Sequence, residues 1–165
     1  MKQLPTADRL KELLSYAPPT GELRWAVTRG NGCTTGETAG GIDKTTGYCR
    51  VRVDDRLLYA HRIIWCMMTG SWPKHQIDHR NRNRTDNRWE NLREARQDQN
   101  KKNASSRGNS TGHKGVWLAK HVMRYRAEII ADGKKHRLGY FDTAEQAAAA
   151  YAEAAARLHG EFSAI

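Results

Sequence analysis

One stretch of the sequence, QIDHRNRNRTDNRWENLREARQDQNKKN at residues 76–103, brings together side chains that could hydrolyse a phosphodiester bond. Asp78 supplies a carboxylate, the kind of ligand that a hard divalent cation prefers. His79 supplies a base with a pKa near neutrality, which the removal of a proton from an attacking water requires. Asn91 and Asn100 add amide oxygens further along the chain. Together these residues predict a metal-assisted phosphodiesterase site.

A solvated basic loop is the simpler interpretation of this stretch, because an Asp-His dipeptide alone is a weak motif. Asn83, Asp86 and Asn87 have residue types that are typical of turns, and we interpret them as turn residues. His61 adjoins an apolar segment, which favours core packing or a structural hydrogen bond over catalysis. The basic side chains around the Asp-His pair are predicted to contact nucleic acid. They are Arg80, Arg82, Arg84, Arg88, Lys101 and Lys102.

The spacing of the polar residues resembles that of the H-N-H nucleases, which have the ββα-metal fold, in their Asp-His…Asn…Asn form. Asn91 follows His79 by twelve residues, and Asn100 follows Asn91 by nine. The flanking segments HRIIWCMMTGSWP and TDNRWENLREA are similar to the phage and mobile-element branch of that family. This resemblance covers about residues 5–104. Asn100 stands where many relatives have a second histidine, and the cysteine pairs of the zinc-stapled members are missing.

The resemblance implies a role for each of these four residues. Asp78 and Asn100 would be the metal ligands, and His79 would be the general base. Asn91 would brace the loop that orients His79. The implied ion is Mg²⁺, with Mn²⁺ as a substitute, because both suit oxygen ligands. Cleavage would leave a 3′-hydroxyl and a 5′-phosphate.

The composition of the 165-residue chain favours a nucleic acid partner. The formal net charge is +10 and the sequence pI is near 9.8, and the basic excess lies between residues 74 and 140. Such a charge favours polyanions, of which nucleic acid is the commonest. No apolar run could span a bilayer and no signal peptide is visible, so we expect a cytoplasmic location in a bacterial or phage-infected cell. Cys33, Cys49 and Cys66 lack a Cys-x-x-Cys pair, which predicts reduced structural thiols.

The elements that must position the site are predicted to be a mixture of helices and strands. TADRLKELLSY is expected to form a helix with Thr6 as its cap. GELRWAV and GYCRVRVDDRLLYAHR are expected to form strands, the second folded into a hairpin at Asp54 and Asp55. RIIWCMMTGSWP has the length and composition of a buried helix that Gly70 and Pro73 close.

The strand predicted over residues 75–79 raises a geometric question about the site. Adjacent strand residues point to opposite faces, so a loop at the strand end would be needed to bring Asp78 and His79 together. The following segment RNRNRTDN could supply that loop. Asn100 would lie on a helix formed by RQDQNKKN.

After a polar linker, the pattern predicts a second, separate module. KGVWL, RYRAEIIA and KKHRLGYF are expected to be three strands, the last two joined by Asp132-Gly133. TAEQAAAAYAEAAARLHG is expected to be a helix with a capping box formed by Thr143 and Gln146. Alternation assigns one sheet face to the helix and leaves the other cationic. The helix-facing residues would be Tyr125, Ala127 and Ile129 on the second strand and His136, Leu138 and Tyr140 on the third.

This second module is similar, over about residues 112–163, to the ethylene-response-factor (APETALA-type) DNA-binding domain. LGYFDTAEQAAAAYAEAA is the most specific part of the resemblance. It implies that the sheet enters a DNA major groove, where arginines can contact guanine edges. Ile130 stands where plant members often have a contacting arginine, so a plant target sequence is not implied. The residues expected to contact DNA are Lys114, Trp117, Arg124, Arg126, Lys135 and Arg137.

The predicted fold is α+β, with an N-terminal mixed module that contains a ββα-metal nuclease motif and then a three-stranded antiparallel sheet packed on one helix. The nuclease module would span residues 1–104, with its metal motif at about 75–103. A linker would span 105–112 and the DNA-binding domain 113–165. The predicted function is a metal-dependent, site-preferring endonuclease of phage type that cuts one or both strands of double-stranded DNA, with a monomer favoured. Homing, restriction and genome processing stay open as its role.

Two other functions are compatible with the sequence. One is a DNA-binding regulator whose nuclease centre is inactive, and metal-dependent cleavage of a plasmid would separate it from the nuclease. The other is an RNA-binding protein, which is disfavoured because the sheet offers few exposed aromatic residues for base stacking.

Overall fold

The computed structural model describes residues 3–30, 33–97, 99–100 and 110–160. They belong to two compact units, Met1–Gln97 and Asp98–Ile165. Helices and antiparallel sheets occur together, which confirms the predicted α+β class. In the described part of the chain, no helix has the length and hydropathy needed to cross a bilayer. Most of the predicted linker, as well as Lys101 and Lys102, lies outside the described residues.

The first unit begins with helix α1 (Ala7–Leu13), which Thr6 caps as predicted by accepting a hydrogen bond from Arg9 N at 3.2 Å. The helix is shorter than predicted, because Leu14 starts strand β1 (Leu14–Ala17). Strand β1 pairs with β2 (Glu22–Trp25), and this register sets Leu14 opposite Trp25. Both of these side chains are buried, so the extended backbone keeps Leu14 in the core while Ser15 is exposed.

A second sheet contains strands β3 (Gly41–Ile42), β4 (Cys49–Val53) and β5 (Arg56–Tyr59). The predicted hairpin turn at Asp54 and Asp55 is present, with φ of 45° and 63°, as tight two-residue turns require. Helix α2 (Ala60–Thr69) ends at Gly70, whose φ is 79°. It begins two residues earlier than the predicted helical segment, so His61 lies in its first turn rather than at a strand end.

Strands β6 (Gln76–His79) and β7 (Leu92–Ala95) form a two-stranded antiparallel sheet. A loop and the short 3-10 helix Trp89–Asn91 connect them. Ile77 and Leu92 belong to the same buried cluster as the apolar residues of α1, α2 and β4. The core of the first unit therefore holds β6 and β7 in place.

The second unit has the predicted three-stranded sheet and helix. Strands β8 (Val116–Ala119), β9 (Arg124–Ala131) and β10 (Lys134–Phe141) lie in the order β10-β9-β8, and α3 (Ala144–His159) packs against them. Thr143 and Gln146 form the predicted capping box, with bonds of 3.2 and 3.3 Å. Small side chains let the helix lie close to the sheet. The buried residues of this interface include Val116, Ala127, Ile129, Ala147, Tyr151 and Ala155.

Strand β10 contains a bulge that the alternation pattern does not predict. Arg137 lies opposite Glu128 and Gly139 lies opposite Ala127, so Leu138 is an extra residue. The bulge reverses the faces of the residues that follow. Tyr140 is consequently 45% exposed and lies opposite Arg126. The prediction that Tyr140 shares the helix-facing side with Leu138 is therefore wrong.

Candidate functional site

Asp78 and His79 lie at the end of β6, and both are buried, with exposed fractions of 6% and 3%. The strand continues through His79, so the loop that was expected to bring the two side chains together starts only at Arg80. The β6–β7 register places Asp78 opposite Arg93 and His79 opposite Leu92. The two side chains consequently meet different partners.

The carboxylate of Asp78 is held by Arg93. The Nε and Nη2 atoms of Arg93 both donate to Asp78 Oδ2, at 2.9 and 2.7 Å, and both side chains are more than nine-tenths buried. A buried charge needs such a partner, because an unpaired charge in the interior is costly. Sequence analysis missed Arg93. Its place directly opposite Asp78 in the register could have identified it if β7 had been recognised.

The imidazole of His79 has a polar partner on one side and aromatic rings on another. Its Nε2 lies 3.2 Å from Oδ1 of Asn87. The rings of His61 and Tyr48 lie at centroid distances of 5.3 and 5.8 Å. Burial lowers the pKa of His79, although the hydrogen bond to Asn87 and the charge of Asp78 act in the opposite direction. The lowered pKa favours the neutral imidazole, the form that a general base needs.

His61 is buried, as expected from its apolar context, and three rings pack near it. Tyr48, Tyr59 and His79 have ring centroids 5.0, 5.4 and 5.3 Å away. Burial, together with the charges of His79 and Arg62, lowers the pKa of His61 to about 3. Its Nδ1 has no hydrogen-bond partner among the described residues.

Asn91 ties together the two ends of the loop that follows His79. Its Oδ1 accepts a hydrogen bond from Asn81 N at 2.9 Å, and its Nδ2 donates to the Asp86 carbonyl at 2.7 Å. Its own carbonyl accepts from Arg80 N at 2.8 Å. These contacts are of the kind expected from a brace, and the consequence for catalysis stays a prediction.

The loop asparagines differ from one another in a way that residue type does not reveal. Asn83 behaves as the predicted turn residue, because its Oδ1 accepts from Thr85 N at 3.1 Å and it is exposed. Asn87 is instead 5% exposed, and its side chain reaches His79. The interpretation of Asn87 as a turn residue is therefore wrong.

Arg84 and Arg88, both predicted to contact DNA, also contact other residues of the protein. Arg84 Nη1 donates to the Thr46 carbonyl at 2.7 Å, and its guanidinium lies 4.9 Å from the ring centroid of Tyr48. Arg88 pairs with Asp86 at 2.8 Å, and this pairing holds the pKa of the Asp86 carboxyl well below its usual range. Arg80 and Arg82 are exposed. Binding of nucleic acid by all four stays a prediction.

Asn100 is helical and half-buried, and it belongs to the second unit, whereas Asp78 and His79 belong to the first. Its role as a metal ligand stays a prediction. Within the described ranges, no group of three or more His, Cys, Asp or Glu side chains could hold a metal ion. One carboxylate and one amide oxygen nevertheless suit Mg²⁺, which usually keeps several waters and binds substrate phosphates.

The outer face of the second unit's sheet is less uniformly cationic than predicted. Glu128 is 6% exposed, and Arg126, Lys135 and Arg137 lie 3.4, 3.6 and 3.7 Å from its carboxylate. The other residues predicted to contact DNA have different partners. The Arg126 guanidinium lies over the Trp117 ring, 5.8 Å from its centroid. Arg124 Nη2 lies 2.8 Å from Asp142 Oδ1. Lys114 lines a cavity of about 500 Å³ together with Trp117 and Glu128.

Comparisons with known proteins bear on the first unit. Residues 58–102 match the family model described as HNH endonuclease. The match ends before the C-terminal sheet begins. A protein of Acanthamoeba polyphaga mimivirus, named an uncharacterized HNH endonuclease, is 33% identical over 106 residues. The match covers 63% of this chain and 54% of that relative, so the chain spans about half of its length. No solved structure gives a significant match. The resemblance to H-N-H nucleases predicted from sequence is thus supported over residues 58–102, which match the HNH endonuclease model.

Proposed function

We propose that the protein is a metal-dependent DNA endonuclease in which His79 is the general base. The observation that carries the proposal is the pair of buried side chains at the end of β6, a carboxylate followed by an imidazole, within the matched residues 58–102. A neutral imidazole can accept a proton from water at physiological pH.

Each polar residue of the site has a role in the proposed reaction. Asp78 and Asn100 would hold Mg²⁺ or Mn²⁺, and Arg93 keeps the Asp78 carboxylate oriented. When bound, such an ion polarises the scissile phosphate and stabilises charge on the leaving oxygen. His79 would take the proton from the attacking water while the water oxygen bonds to phosphorus. The P–O3′ bond would break, and the 3′-oxygen would take up a proton from solvent, which leaves a 3′-hydroxyl and a 5′-phosphate. Asn91 fixes the loop beside His79.

The second unit is proposed to give the enzyme its preference among double-stranded DNA sites. The features that support this role are the sheet face with Trp117, Arg126 and Arg137 and the net charge of +10. Arginines on such a face can contact base edges, while lysines contact phosphates. We propose a homing-type enzyme of phage or mobile-element origin that acts as a monomer in the cytoplasm and nicks DNA.

A DNA-binding regulator with an inactive nuclease centre is the second candidate. The observation that favours it is the ion pair between Asp78 and Arg93, because this pair engages one oxygen of the proposed metal ligand. A regulator would bind the same DNA and leave it intact.

Plasmid cleavage with Mg²⁺, with Mn²⁺ and with excess chelator separates the two candidates. We expect His79→Ala to lower the cleavage rate by about two to four orders of magnitude, the usual contribution of a general base. Asp78→Ala, Asn100→Ala and the chelator should stop cleavage without abolishing DNA binding. His75→Ala is the matched control, because His75 is an exposed histidine that precedes β6. Cleavage by His79→Ala at the wild-type rate would refute the proposal.

A further inference from the structure

The contact between Asn87 and His79 restricts the protonation of the imidazole. The two atoms, Asn87 Oδ1 and His79 Nε2, are 3.2 Å apart, and both side chains are at least nine-tenths buried. An amide oxygen can only accept a hydrogen bond, so His79 Nε2 must be the donor. A neutral imidazole carries one proton, and placing it on Nε2 leaves the lone pair on Nδ1.

We propose that Asn87 is a positioning residue that holds His79 in the Nε2-protonated tautomer and so makes Nδ1 its basic nitrogen. This inference rests on the proposed function, in which His79 takes a proton from water. The wrong tautomer would present an N–H group, which cannot accept that proton. Asn87 therefore acts through His79 and needs no contact with the DNA.

Asn87 is itself fixed by residues that are distant in sequence. The hydroxyl of Tyr16 on β1 donates to the Asn87 carbonyl at 2.8 Å. Burial raises the pKa of Tyr16 to about 12, so the phenol remains a donor. The Pro18 carbonyl accepts a hydrogen bond from Trp89 N at 3.2 Å. Gly21 approaches so closely that a Cβ atom there would lie 2.5 Å from Arg88 N. The turn between β1 and β2 thus supports the segment that carries Asn87.

A purely structural role for Asn87 would be a different finding, and its neighbour Asn83 provides the comparison. Asn83 is exposed and makes its hydrogen bonds to Thr85, within the same loop. Asn87 is buried, and its side-chain oxygen faces β6. If only loop shape mattered, replacing either residue would affect cleavage through the loop and would leave the His79 tautomer unchanged.

The experiment uses the full chain and four variants. Asn87→Leu has a similar size and no acceptor, whereas Asn87→Asp keeps an acceptor oxygen. Asn87→Ala is the second acceptor-free variant, in case the leucine does not fold, and Asn83→Ala is the control. The tautomer of His79 is measured from the ¹⁵N chemical shifts of its ring at about pH 8, above the ordinary imidazole pKa. Plasmid cleavage with Mg²⁺ is measured on the same samples.

We expect the wild type, Asn87→Asp and Asn83→Ala to have His79 protonated on Nε2. The Leu and Ala variants should populate the Nδ1-protonated form and cut about 10–100-fold more slowly, the usual effect of losing a residue that orients a functional histidine. Unchanged ring shifts, or wild-type cleavage by both acceptor-free variants, would overturn the inference. If the wild type cuts no DNA, the proposed function fails, and the ring shifts still show whether Asn87 sets the tautomer.

Discussion

His61 and His79 lie side by side in the interior of the first unit, with ring centroids 5.3 Å apart. Burial lowers the pKa of both imidazoles, that of His61 to about 3. Two positive charges at this distance and depth would repel each other strongly. The fold therefore disfavours protonation of both rings at once, which links acid sensitivity to the residues beside the proposed active site.

The free energy of unfolding should fall as the pH decreases from about 6.5 towards 3. The unfolded chain binds a proton on His61 below its ordinary pKa of about 6.5, whereas the native ring does not until about pH 3. One such group contributes at most about 1.4 kcal/mol per pH unit, and the lowered pKa of His79 acts in the same direction.

Urea unfolding of the wild type and of His61→Gln, compared from about pH 7 to 5, tests this expectation. The variant lacks one titratable group, so its stability should depend less steeply on pH. Equal slopes for the two proteins would show that burial of His61 does not determine the acid sensitivity.

At the residue scale, spacing in the sequence predicts Asp78, His79 and Asn91, whereas Asn87 and Arg93 become visible only in the fold. The reason is that a run rich in asparagine and aspartate is typical of turns, and residue type does not show which side chain points inward. For Asn87, contacts from Tyr16 and Gly21 determine that the side chain points inward. For Arg93, the register with Asp78 determines it.

The hairpin formed by β1 and β2 is the element that supports the site from outside the matched residues 58–102. Residues 87–89 are contacted by Tyr16 on β1 and by Pro18 and Gly21 in the turn that follows it. Gly21 has a φ of +78°, a conformation that favours glycine, and there is no space for a side chain. The hairpin therefore places a tight steric constraint on the loop that carries Asn87.

Gly21→Ala should destabilise the protein and slow cleavage even though Gly21 contributes no chemistry. The added methyl group would collide with the backbone of Asn87 and Arg88, at 2.5–2.6 Å. We expect a loss of about 1–3 kcal/mol in unfolding free energy beyond the backbone strain alone. Displacement of Asn87 should also lower the cleavage rate by about tenfold or more.

Gly36→Ala is the matched control for this substitution. Gly36 has a similar φ of +86°, and a Cβ atom there would have nothing within 4 Å. This variant carries the strain of a positive φ without the collision. Equal urea midpoints and equal cleavage rates for the two variants would show that the contact at Gly21 does not support the site.

Local patterns predicted the elements of the second unit better than those of the first. Asp132-Gly133 and the capping box each specify a structure within a few residues, and both are present. Strand β1 was missed because Leu14 continues a helical apolar pattern and becomes a strand only through pairing with Trp25. The bulge at Leu138 was missed because an extra residue leaves no mark in an alternating sequence.

At the scale of the whole molecule, the chain joins a unit that contains the residues matched by the HNH endonuclease model to a unit with a charged sheet face. Such a division would separate bond cleavage from the choice of site. On this proposal, phosphate contacts supply affinity for any DNA, and a few arginines on the sheet face distinguish sequences.

A truncated protein ending near residue 107 should cut DNA weakly and with a relaxed site preference, because it lacks the sheet face. Cleavage maps of the truncated and full-length proteins on a DNA library measure this difference. In the full chain, Arg126→Ala should cost about 1–3 kcal/mol of binding free energy at the preferred site and far less on random DNA. Arg157→Ala is the charge-matched control, because Arg157 is an exposed residue of α3. Identical cleavage maps would instead assign site preference to the first unit.

The hydrogen bond from Tyr16 to the Asn87 carbonyl joins residues that are 71 positions apart, and this distance has a consequence for protein synthesis. A ribosome makes the chain from its N-terminus, so the β1–β2 hairpin leaves the exit tunnel well before Asn87 is added. The hairpin is then the surface on which the later loop docks, and His79 acquires its amide partner only at that docking. On the proposed function, a nascent chain would therefore lack the oriented base until the segment through β7 has emerged and closed onto the N-terminal hairpin.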